Sequence, residues 1–208
     1  MRIASAFSLI LACANLALAQ SYSVIPLHDF AGTDGQDPVA LVQSSDTSFY
    51  GAAALGGAGY GTVFHLTTSG FTTLHQFAGP DGAYPNGLIL AADGTLYGTS
   101  SGGNTACPSG CGTVFHIDSQ GNFSTVYAFS GPDGQYPTNL LQGQDGNLYG
   151  TTEDPGPVVV FKLTPAGALS TVYTFCSQGA CPNRKPAHRS GSGSERQLFL
   201  SDSHRRQR

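Results

Sequence analysis

Two stretches of this chain are near-copies of each other, and no fold that ignores them can be right. Gly112–Thr152 reads GTVFHIDSQGNFSTVYAFSGPDGQYPTNLLQGQDGNLYGTT, and Gly61–Ser100 reads GTVFHLTTSGFTTLHQFAGPDGAYPNGLILAADGTLYGTS. The landmarks come in the same order: Gly-Thr-Val-Phe-His, Phe-x-Gly-Pro-Asp-Gly-x-Tyr-Pro, then Asp-Gly-x-Leu-Tyr-Gly-Thr. A worn first copy supplies Leu27-His28-Asp29-Phe30, Gly32 to Pro38 and Phe49-Tyr50-Gly51. A fourth begins at Val158 and runs to Phe175 before its pattern stops. The equivalent Tyr50, Tyr97 and Tyr149 are 47 and 52 residues apart. A repeat of this length means that each unit cannot bury its own apolar surface and must stack on its neighbours.

Each period holds four strand candidates. Thr113–Ile117 and Ser124–Phe129 flank a turn at Ser119-Gln120-Gly121, and 139–142 and 147–151 flank Gln144-Asp145-Gly146. Both read as hairpins, with Gly accepting the positive φ that such turns demand. Helical periodicity is hard to find, because Gly or Pro interrupts every long window. Four antiparallel strands per period is the size of one propeller blade. The expected fold is therefore all-β: an incomplete, open β-propeller of about three and a half four-stranded blades, with a β-solenoid-like array as the alternative. The copies put the blades at about 24–60, 61–111 and 112–157, with a partial one at 158–183.

The motifs "GTVFHLTTSG", "GPDGAYPNGLIL" and "DGNLYGTT" resemble the GloVer tandem repeat of exported bacterial proteins, over about Leu27 to Phe175. The resemblance implies an exported repeat array, and brings no catalytic residues to carry over.

The two ends differ from the repeats. Met1–Ala19 has one cation, Arg2, an apolar run and an Ala-Leu-Ala exit, the pattern of a cleaved signal peptide. It is too short for a stable membrane span, and the expected location is secreted, periplasmic or at the cell surface. From Gln20 to Asn183 the chain has eleven acids and a single base, Lys162, which argues against nucleic acid or an anionic membrane as partner. Residues 184–208 hold seven bases and read as a disordered basic tail. A frameshift explains it too: one permitted coding of Ser194–Asp202, SERQLFLSD, read one nucleotide later gives Ala-Asn-Gly-Asn-Phe-Phe-Tyr-Arg, close to the repeat's Asp-Gly-Asn-Leu-Tyr-Gly.

Few residues suggest chemistry. Cys107 with Cys111, and Cys176 with Cys181, are two local pairs, read as small-loop disulfides in an exported chain rather than as a zinc site. His28 and His75 become Tyr127 and Tyr173 in later copies, and His65 and His116 become Lys162, so a catalytic or metal-binding histidine set is not expected. Asp34, Asp81 and Asp133 recur in one loop and Asp46, Asp93 and Asp145 in another, as turn-capping residues do. No cofactor is expected, with calcium on these carboxylates as the alternative. The ligand-binding candidates are Tyr84 with Asp81, Tyr136 with Asp133, and the non-repeating Glu153 and Asp154. Their aromatic and acidic character suits an extracellular glycan. A second repeat chain, pairing through an open blade edge, is the other expected partner. The leading function is a secreted, non-enzymatic binding or structural module. A propeller enzyme acting on polysaccharide and a non-functional remnant of a longer repeat protein are the alternatives.

Overall fold

The structure is a computed structural model that describes residues 23, 25–108, 110–153 and 157–175. It is an open β-propeller of three four-stranded antiparallel sheets. The first contains β1 (Gln36–Gln43), β2 (Phe49–Leu55), β3 (Thr62–Thr67) and β4 (Gly70–Gln76). The second contains β5 (Ala83–Leu90), β6 (Leu96–Gly102), β7 (Thr113–Ile117) and β8 (Phe123–Ala128). The third contains β9 (Leu140–Gln142), β10 (Leu148–Thr151), β11 (Val159–Leu163) and β12 (Leu169–Thr174). Each sheet is a plain meander, and the sheets meet chiefly through their first two strands, β1 and β2 with β5, and β5 and β6 with β9. The solenoid alternative is overturned, because the sheets are separate meanders and no strand pairs across a blade boundary among the described residues.

The blade boundaries read from the copies need correction. Positions 61, 112 and 158 fall between the second and third strands of a sheet, so blade and sequence copy are half a period out of phase. The two hairpins of the 112–157 copy form as expected, yet β7–β8 close the second blade while β9–β10 open the third. The fourth copy supplies β11 and β12, the outer pair of the third blade. Repeats mark where the sequence recurs, not where hydrogen bonding breaks.

One cross-strand pair explains the repeated Tyr-Gly-Thr and Gly-Thr-Val-Phe motifs together. Gly51, Gly98 and Gly150 lie opposite Phe64, Phe115 and Phe161 on the adjacent strand. A Cβ on each glycine would fall 2.2, 2.3 and 2.4 Å from the Cζ of its phenylalanine. The far end of the ring fills the space a Cβ would take, so the glycine must be bare. The Asp-Gly tips are Asx turns. Asp46, Asp93 and Asp145 each accept a hydrogen bond from the backbone N–H two residues on, at 3.0, 2.9 and 3.2 Å.

Between blades the contact is aromatic. Phe77 at the end of the first blade meets Phe115 of the second edge to face at 5.2 Å, and Phe129 meets Phe161 of the third at 5.3 Å. Both Phe77 and Phe129 are fully buried. Phe30, which precedes β1, meets Phe64 in the same way at 5.3 Å. The strip before the first blade therefore stands where the outer strand of a preceding blade would end.

Candidate functional site

The loops between the second and third strands meet the repeated Pro-Asp-Gly segments on one face. The β2–β3 and β6–β7 connections and the segments leading into β5 and β9 are joined there by equivalent backbone bonds. Tyr84 N–H donates to the Tyr60 carbonyl at 2.8 Å, and Tyr136 N–H to the Cys111 carbonyl at 2.9 Å. Gly57 N–H reaches the Gly32 carbonyl, and Asn104 N–H the Gly79 carbonyl, both at 3.0 Å. Glu153 joins the same face, its N–H donating to the Gln135 carbonyl at 2.9 Å.

Asp37, Tyr84 and Tyr136 occupy the same position in three successive blades and have φ of 56°, 56° and 51°. Left-handed backbone at a bulky side chain is uncommon and costs on the order of 1 kcal/mol or more. Here the pairing on either side imposes it, because the chain must turn from the Pro-Asp-Gly loop into a first strand. The Tyr84 ring lies beside Gly102, where a Cβ would come within 2.9 Å of it, and is 43% exposed. Tyr136 is half-buried, while Asp37 and Glu153 are exposed.

Asp81 and Asp133 are engaged elsewhere. Asp81 accepts from Ala78 N–H at 2.9 Å and faces His75 Nε2 at 2.8 Å. Asp133 accepts from Ser130 N–H at 2.9 Å and from the Tyr127 hydroxyl at 2.5 Å. Asp34 repeats the arrangement with Ala31 N–H and His28, both at 2.8 Å. Each carboxylate thus closes its own loop; Asp81 and Asp133 tie theirs to the preceding outer strand, and Asp34 ties its loop to the strip before β1. The Ala31 N–H, helped by His28, holds Asp34 below the usual carboxylate range. Burial pushes the Tyr127 hydroxyl up to about 12, with Asp133 adding to it. Among the described residues no group of three or more His, Cys, Asp or Glu could hold a metal ion.

His75 stacks on Phe123 of the next blade at 3.6 Å and titrates below the ordinary histidine value, because burial opposes its charging more than Asp81 favours it. A depressed histidine stabilises the fold above its unfolded pKa of about 6.5, and that stability is lost as pH falls through the folded value. His75→Tyr keeps a donor to Asp81, as Tyr127 provides for Asp133. As pH drops below about 6.5, the melting temperature of wild type is expected to fall more steeply than that of His75→Tyr. Parallel thermal melts across pH 4 to 8 check this; identical slopes in the two proteins would count against it.

Of the two expected disulfides, one is seen. Cys107 and Cys111 are bonded, with Cα atoms 5.6 Å apart. The expected bond between Cys176 and Cys181 is not among those of the described residues, because Cys176 and Cys181 both lie outside them. Asp154, the leader and the basic tail lie outside them too. The sulfurs of Cys107 and Cys111 would lie 3.6 and 3.9 Å from a Cβ on Gly131, as the Tyr60 ring would lie 3.3 Å from one on Gly79. The disulfide of the second blade therefore covers the loop glycine that Tyr60 covers in the first. Tyr60, also on this face, has no place among the sequence candidates. Its register with Cys111, one residue before Gly61 and Gly112, is the signal that finds it.

This arrangement defines a class: a repeat protein whose blades present equivalent loops on one propeller face. The chain belongs to the Gloeobacter/Verrucomicrobia repeat family, whose model matches residues 15–194. No match is found among curated proteins. Among solved structures the chain is similar to streptogramin B lyase, with 20% identity, a TM-score of 0.48, and coverage of 64% of this chain and 39% of that one. It is similar to TolB from Acinetobacter baumannii, with 15% identity, a TM-score of 0.46, and coverage of 71% and 34%. A third is XC5397 from Xanthomonas campestris, described as a gluconolactonase, with 17% identity, a TM-score of 0.47, and coverage of 69% and 48%. The chain thus spans less than half of each of these structures, and the likeness is one of fold alone.

Proposed function

We propose that this protein is a secreted, non-enzymatic binding module whose loop-bearing face takes a neutral glycan. The observation that carries the reading is the repeated left-handed position holding Tyr84 and Tyr136, with Asp37 at its equivalent in the first blade. A side chain kept where glycine would be cheaper signals a role for the side chain. Tyrosine offers a ring face for the C–H groups of a sugar and a hydroxyl for hydrogen bonding. The exposed Asp37 and Glu153 carboxylates can accept from sugar hydroxyls, and the low count of bases disfavours an anionic ligand. The disulfide suits an oxidising compartment.

A glycan array probed with the full chain, followed by titration of any hit, tests the reading. The chain lacks Trp, so intrinsic emission reports on tyrosine directly. Tyr84→Gly and Tyr136→Gly are expected to weaken a hit by about two- to tenfold each. Both should leave the melting temperature level or raised, because glycine suits their backbone. Silence across the array, or hits indifferent to both substitutions, would overturn it. Turnover of a bound polysaccharide would instead favour the enzyme alternative.

A further inference from the structure

Among the described residues, the first and third blades expose the two halves of a contact that the chain makes twice internally. Leu41 of β1, Leu88 of β5 and Leu140 of β9 are equivalent. Leu88 and Leu140 are each 7% exposed because the preceding blade covers them, whereas Leu41 is 59% exposed. The opposite face behaves likewise. Phe77 and Phe129 are buried under the next blade, and their equivalent Phe175 is 47% exposed. Leu141, the counterpart of the half-buried Val42 and Ile89, is 58% exposed. Tyr173 and Val172 are bare on that same face.

On the leading face a cavity of about 480 Å³ is left beside Val39, Leu41, Leu66 and Leu27. At the equivalent place between the first and second blades, Val42, Tyr50 and Leu74 pack against the cluster that contains Leu88. Leu27 already stands where Leu74 would. What is missing is an inner-strand residue of the Val42 type, and Leu141 is the residue the trailing face offers.

We infer that a second copy of this chain docks its trailing face on this leading face, and that the contact is reciprocated to close a ring of two chains. A head-to-tail contact forms a closed ring only if the rotation closes. Closed propellers hold about four to eight blades. Two copies of the three described blades give six, whereas three copies exceed that range. Leu141 of the second copy fills the place beside Leu41. His28 and Phe30 already hold the outer part of the leading face, stacked on Phe71 at 3.7 Å and set edge to face against Phe64 at 5.3 Å. Docking exchanges them, together with Leu27, for the equivalent Tyr173, Phe175 and Val172 of the second copy. Charge does not drive the contact, since the residues involved are apolar; burial of apolar surface does.

Sedimentation velocity on the full chain across a concentration series tests the inference. The expected result is a monomer and a species of twice its mass, with nothing larger. Leu41→Asp and Leu141→Asp alter opposite faces at exposed positions, so each is expected to melt like wild type and to weaken association at least about tenfold, by placing a carboxylate in an apolar contact. Mixing the two variants should restore part of the association, because one of the two contacts in a mixed ring is then wild type on both sides. A monomer at every concentration, a ladder of larger species, a dimer indifferent to both substitutions, or a mixture no better than its components would each overturn it.

Discussion

Gly98→Ala is expected to destabilise the protein by about 3 kcal/mol, the upper end of what one inserted methyl costs a packed interior. The new Cβ would sit 2.3 Å from Phe115 Cζ and 2.8 Å from the Gly87 carbonyl oxygen. The carbonyl is backbone of an adjacent strand and cannot yield without breaking its ladder. The ring cannot swing away either. Phe115 is fully buried, with Phe77 at 5.2 Å and Phe123 at 5.5 Å beside it. Shortening the ring should therefore relieve part of the strain. The double variant Gly98→Ala/Phe115→Leu is expected to be more stable than the sum of its parts by about 1 kcal/mol or more, as contacting residues are non-additive. Chemical denaturation of the four proteins in the cycle measures this. Gly98→Ala within about 0.5 kcal/mol of wild type, the usual range for an unconstrained surface site, would refute the packing argument.

Phe129→Ala and Phe175→Ala form the second pair. Their positions are equivalent in sequence, each ending an outer strand with an aromatic two residues after a tyrosine. Phe129 is fully buried and closes the contact between the second and third blades against Phe161. Its truncation is expected to cost about 3–5 kcal/mol, the range for a buried phenylalanine that leaves a cavity. Phe175 is nearly half exposed and rests mainly against Tyr173 at 4.9 Å. Its truncation is expected to cost under about 1 kcal/mol in the monomer. Denaturant midpoints of dilute protein decide between unequal and equal effects. Equal losses would mean that the trailing face is covered after all.

Much of the fold was legible because repetition constrains it. Four strands per period, the hairpins around Gly121 and Gly146, and the absence of helical patterning all follow from local turn chemistry and alternation. The aspartates of the two loops were legible as turn residues for the same reason: an Asx turn is built within a few residues of itself. The blade boundary was not legible. A repeat can be cut at any phase with equal self-similarity, and only the inter-strand hydrogen bonds show that β2 pairs with β3 across the apparent junction at Gly61. The candidate site was half legible. Tyr84 and Tyr136 stood out as aromatics in loops, but their left-handed backbone and the shared face with Tyr60, Asp37 and Glu153 depend on bonds between residues distant in sequence.

The sequence by itself determined that the chain is a stack of like β units, since no single unit can bury both of its faces. It also determined which residues turn the chain, because turns are local. The tertiary structure decided which copies of each residue are buried. Leu41 and Leu88, or Phe129 and Phe175, are interchangeable in the repeat and opposite in their surroundings. The reason is positional: burial in a stack is conferred by the neighbouring unit, and among the described residues Leu41 and Phe175 face no such unit.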